Sequence, residues 1–155
     1  MAQRRSAGLL LHRTHAGALE VLIAHMGGPL WARKDEAAWS IPKGEYHDGE
    51  DPLTAARREF AEELGQAAPD GDPIHLGSVR QSGGKIVDMW AQAGELDVSE
   101  VHSNTYQMQW PPGSGRLMEF PEIDRAGWFD LEQARVKLVR GQVPFLDALE
   151  RHLGL

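Results

Sequence analysis

Three glutamates, Glu59, Glu62 and Glu63, stand at i, i+3 and i+4 in the run ARREFAEELG, and on a helix that spacing turns all three carboxylates to one side of two turns. Each like-charged pair at such spacing costs an isolated helix roughly 0.2 to 0.5 kcal/mol. A hard divalent cation, which takes oxygen ligands, would cancel the repulsion. The commoner meaning of a charge run such as Arg57, Arg58, Glu59, Glu62, Glu63 is a solvated helix face, so the residues around it must decide.

Those residues describe a helix over 52–64. Leu53, Ala56, Phe60 and Leu64 form an apolar stripe that docks it on a core, opposite the glutamates. Asp51 suits the N-cap, Pro52 the first helical position, and Gly65 the left-handed residue after the last turn. Before it, residues 44–50 make a glycine-bounded loop able to fold its backbone against the carboxylate face.

Gly44, Glu50, Arg58, Glu59, Glu62, Glu63 and Gly65 stand at the spacing of the signature box of the Nudix hydrolases, and the chain resembles that family over roughly residues 6–153. Phe60 and Gln66 depart from the usual pattern at packing positions, where the family has an aliphatic and a hydrophobic residue. The resemblance implies an α/β/α sandwich with a mixed β-sheet, with residues 1–155 as one domain. It implies hydrolysis of a nucleoside diphosphate linked to another moiety, with Mg²⁺ or Mn²⁺ bound by Glu59, Glu62, Glu63 and the backbone carbonyl at Gly44. Glu50 and Arg58 would orient that cluster. Glu59, Glu62 or Glu122 would serve as general base. Glu122, six residues before Trp128, resembles the distal acid that many members bring to the metals, with Glu119 as its competitor.

Composition bounds the same reading. A chain of 155 residues with 41% hydrophobic and 25% charged residues has the length of about one domain. Its apolar runs are too short for a membrane span, and the one behind Arg4 and Arg5 ends at His12, short of a signal peptide. A net charge of −7 argues against a nucleic-acid polymer as partner. Between Glu45 and Glu63 seven carboxylates face two arginines, a local balance of −5. A phosphate substrate therefore needs divalent metal to reverse the local field. No cysteine is present, which fits a reducing cytoplasm.

The elements that must hold this helix follow from pattern. Residues 6–13 and 19–26 read as strands covered on both faces, separated by a turn at 14–17. Residues 74–81 and 86–92 read as a hairpin around Ser82, Gly83 and Gly84. In the irregular stretch 94–115 only 105–110 alternates as a strand; 116–120 and 127–129 are also strand-like. A helix starts at Asp130 and closes at Gly141, and another runs from near Pro144 to Gly154. One mixed sheet between helical layers is expected.

The substrate-binding candidates lie before the box. Trp31 and Trp39 flank a charged loop containing Lys34, and each is either edge packing or a platform for a nucleobase. Lys43, in the triplet Pro42-Lys43-Gly44, is either a surface lysine or a phosphate contact. Within the resemblance, that triplet is more similar to hydrolases of diadenosine polyphosphates and some nucleoside triphosphates than to those of ADP-ribose. A nucleotide-sugar or ADP-ribose pyrophosphatase, or a nucleotide-binding module without turnover, is the alternative.

Overall fold

The computed structural model describes residues 4–155. Strand β1 (Arg5–His15) and strand β2 (Ala18–Met26) pair antiparallel. Ala16 and Gly17 turn between them with φ of 51° and 81°, the paired positive values a two-residue hairpin needs. The turn is thus tighter than expected from 14–17, and β1 continues to His15.

A short strand β3 (Trp39–Ser40) pairs with β2, and β4 (Lys43–Glu45) lies antiparallel along the first residues of β1. Helix α1 (Pro52–Leu64) follows. The Asp51 carboxylate accepts the N–H of Thr54, and Gly65 ends the helix in the left-handed region, so both caps are as the sequence predicts. Its buried stripe is Ala55, Ala56, Phe60 and Leu64, with Leu53 only half-buried.

Strands β5 (Ile74–Arg80) and β6 (Ile86–Ala93) form the expected hairpin. β6 runs parallel to β1, which makes the sheet mixed. Strand β9 (Ile123–Asp130) joins it beside β2. Strands β7 (Thr105–Gln109) and β8 (Leu117–Pro121) pair only with each other, so they form a separate two-stranded ribbon and correct the expectation of one sheet.

The core has two layers, one on each face of the sheet. Alternation along β1 sends Leu9 and Leu11 to α1 and Leu10 to the other side. There Val21, Ile23, Val87 and Met89 meet Leu138, Phe145, Leu146 and Leu149, from helix α2 (Leu131–Lys137), its C-cap and helix α3 (Val143–Leu153). This is an α/β/α sandwich. Helix α2 stops short of Gly141, a second correction. Ala37 and Ala38 donate to the carbonyls of Val136 and Lys137, and Val139 donates to Trp39, so strand-like bonds replace the next helical turn.

Candidate active site

Helix α1 sets the acids over the sheet edge where β4 runs. A Cβ at Gly44 would overlap the Glu59 carboxylate, so only glycine permits this approach. Arg58 holds the acids in order. Its Nε and Nη2 take the two oxygens of Glu50 at 3.0 and 3.1 Å, and its Nη1 reaches Glu59 at 2.8 Å and Glu62 at 3.3 Å. Glu50, eight residues before this arginine, is thereby anchored from the loop side.

The acids differ in environment. Burial pushes the Glu63 carboxyl up to about 7, partly offset by the Lys43 N–H that donates to its Oε1 at 3.2 Å. Burial also raises Glu59, with Arg58 opposing and Glu62 adding to the rise. Glu122, by its charge, adds a small further rise to both. It sits between β8 and β9, with its backbone N–H on the Asn104 carbonyl at 2.9 Å and its carbonyl on the Gly27 N–H at 3.0 Å. Glu119 is engaged elsewhere, accepting from Thr105 Oγ1 at 2.6 Å within the ribbon.

Beside the acids opens a cleft of about 450 Å³. Met26, Leu30, Trp31, Tyr106, Met108 and Ile123 line it with apolar and aromatic surface, and Ser40, Lys43, Glu63 and Glu122 with polar groups. The shift in β2–β9 pairing at His25 and Met26 turns the chain into this wall. Tyr106 closes it by donating its hydroxyl to the Gly27 carbonyl at 3.1 Å, and a Cβ on Gly28 would strike that hydroxyl.

The structure thus brings together Lys43, Trp31, Glu63 and Glu122 in the cleft, and Gly44, Glu50, Arg58, Glu59 and Glu62 next to it. Trp39 is a correction. It is 3% exposed, donates its Nε1–H to Asp35 at 2.9 Å and packs edge-on to His25 and Phe129, so neither face is open to a base. Lys34 does not line the cleft; its ammonium lies 5.2 Å from the centre of the Trp31 ring and its carbonyl takes His25 Nε2. Tyr106 and Met108 were missed by sequence reasoning, although the alternation of 105–110 already put them on one face of a strand.

Glu59, Glu62, Glu63 and the Gly44 carbonyl are all hard oxygen donors, the chemistry Mg²⁺ selects. Among the described residues no three acid or imidazole side chains already converge as a closed metal cage. Mg²⁺ does not need one, because it keeps several waters and takes one or two carboxylates together with substrate phosphates. The half-buried pair Glu59 and Glu63 therefore fits, their carboxyls raised chiefly by burial.

The NUDIX domain family matches residues 2–149. Among solved structures, an Ap4A hydrolase of C. elegans in a binary complex is similar with a TM-score of 0.64 at 22% identity, over 97% of this chain and 98% of that one. The NUDIX domain of Shewanella oneidensis NrtR complexed with ADP ribose gives 0.66 at 15% identity, over 99% and 90%. A mutT/nudix family protein from Listeria innocua gives 0.64 at 16% identity, over 99% and 96%. No curated protein matches the sequence. Fold and acid-bearing helix define a hydrolase of phosphoanhydride bonds. The chain belongs to the Nudix family, which generally uses a divalent metal such as Mg²⁺.

Proposed function

We propose that this chain, as one catalytic unit over 1–155, is a pyrophosphohydrolase of nucleoside diphosphate derivatives that favours dinucleoside polyphosphates or nucleoside triphosphates. The observation that carries the reading is one cleft lined both by the aromatic rings of Trp31 and Tyr106 and by Lys43, Glu63 and Glu122. A planar base and a phosphate chain fit that mixed lining. Lys85 strengthens it. Its charge lies near enough to depress Lys43, after burial has done so, so a second cation stands close to the cleft although it does not line it.

Mg²⁺ held by Glu59, Glu62, Glu63 and the Gly44 carbonyl would supply charge neutralisation and an activated water when bound. The chain's own residues do the rest. Arg58, gripped by Glu50, keeps Glu59 and Glu62 from swinging into solvent. Trp31 takes the base, and Lys43 with Lys85 draws the phosphates toward the acids. Glu122 is the best-placed proton acceptor, since Glu59 and Glu62 already accept from Arg58 while its carboxylate is exposed beside the acids. No helix among the described residues is long and apolar enough to cross a membrane, and a cysteine-free chain suits the cytoplasm where such nucleotides arise.

A panel of nucleotides with Mg²⁺, read by chromatography of products, tests the reading. Diadenosine polyphosphates or nucleoside triphosphates should turn over with higher kcat/KM than ADP-ribose or nucleotide sugars. Preference for ADP-ribose, or binding without turnover of any compound, contradicts it.

A further inference from the structure

Asp88 is a buried carboxylate that the hydrolytic reading leaves unused. It sits on β6 at 6% exposure, in register with Ala7 on β1 and, one strand further, with Gly44 on β4. All three face α1, so Asp88 and Gly44 share one rank of the sheet with only the small Ala7 between them.

Burying a carboxylate is costly unless donors surround it. Three side chains donate here. Tyr46 gives its hydroxyl to Oδ2 at 2.9 Å, Arg5 its Nη1 to the same oxygen at 3.3 Å, and Ser78 its hydroxyl to Oδ1. Ser78 stands directly opposite Asp88 because an irregularity between His75 and Gly77 resets the β5–β6 pairing. Tyr46 comes from a different place. It is the second residue after Gly44, at the start of the loop that brings Glu50 to Arg58, and its backbone N–H bonds the Arg5 carbonyl at 3.1 Å.

We propose that Asp88 is a positioning residue: by holding the Tyr46 hydroxyl it sets residues 45–50 against the sheet and so fixes Glu50, and through Arg58 the carboxylates of Glu59 and Glu62. The physical reason is that the loop cannot lift without leaving a buried charge short of a donor. The acids of the helix are thus located from two sides, by Gly44 beneath Glu59 and by the Tyr46 to Glu50 segment through Arg58. Packing alone would be served by an apolar residue at 88; a carboxylate there specifies where the loop must lie.

This inference rests on the hydrolytic reading for its kinetic consequence, and its test has an arm that needs no turnover. Tyr46→Phe removes one hydroxyl and keeps the ring. It should weaken Mn²⁺ binding to the metal-stripped protein, by calorimetry with Mn²⁺ alone, by about tenfold, and speed amide exchange at 46–50. In the assay kcat should fall by a similar factor while KM stays within about threefold. Asp88→Asn keeps an acceptor for the hydroxyl and should cost less, and combining it with Tyr46→Phe should be no worse than Tyr46→Phe alone. Wild-type Mn²⁺ affinity and exchange in Tyr46→Phe, or additive losses in the double variant, would overturn the proposal whether or not any nucleotide is hydrolysed.

Discussion

Glu63 Oε1 accepts the backbone N–H of Lys43 at 3.2 Å, which ties the last acid of α1 to the residue that opens β4. One neutral donor does not compensate a buried carboxylate, and the carboxyl rises to about 7.

The first prediction follows from that rise. Between the ordinary value of 4.5 and about 7, folded Glu63 keeps a proton that the unfolded chain has released. Metal-free stability therefore falls as pH rises through this window and levels off above it, by on the order of 3 kcal/mol. In thermal melts with EDTA, Glu63→Gln should gain on the wild type between pH 5 and pH 8. An equal gap at both pH values would show that Glu63 is not so shifted. The loss of turnover in the same variant should reach orders of magnitude, separating chemistry from folding.

Glu122→Gln should lower turnover by at least about tenfold, with Glu119→Gln having a smaller effect, since a general base contributes typically 10² to 10⁴. The motivation is that the Glu122 charge adds to the rise of Glu59 and Glu63 while Glu119 bonds Thr105. Equal kcat values for the two variants would remove Glu122 from the mechanism.

The tryptophans should part company. Trp39→Ala leaves a hole under β3 and should cost about 3 to 5 kcal/mol in denaturant unfolding. Trp31→Ala should cost less stability and raise KM, a stacked base being worth about 1 to 3 kcal/mol. If KM responds to neither, the base does not lie on the Trp31 wall.

For the phosphate contacts, Lys43→Ala and Lys85→Ala should each cost about tenfold in kcat/KM on long phosphate chains and less on short ones. Identical losses on short and long substrates would count against the contact.

What could be read in advance was whatever depends on neighbours in the chain. The caps Asp51 and Gly65, the acid spacing on α1 and the continuous apolar run of β1, covered on both faces, are local, and each reappears in the fold. Trp31 and Trp39 look alike in sequence; only the packing of Phe129 and His25 on one of them separates core from cleft. The end of α2 depended on residues 37–39 arriving to take its carbonyls, a contact about a hundred positions away. Tyr106 and Met108 became cleft residues because the β7–β8 ribbon stands apart from the main sheet, and strand pairing of that kind leaves no local mark.

The acid-lined cleft should hydrolyse phosphoanhydrides only with a divalent cation bound. The most direct measurement strips the protein with EDTA, assays a diadenosine polyphosphate by chromatography, and then restores Mg²⁺. Turnover should vanish in chelator and recover with Mg²⁺; undiminished turnover in excess EDTA, after removal of tightly bound metal, would show that the cleft works without a cation.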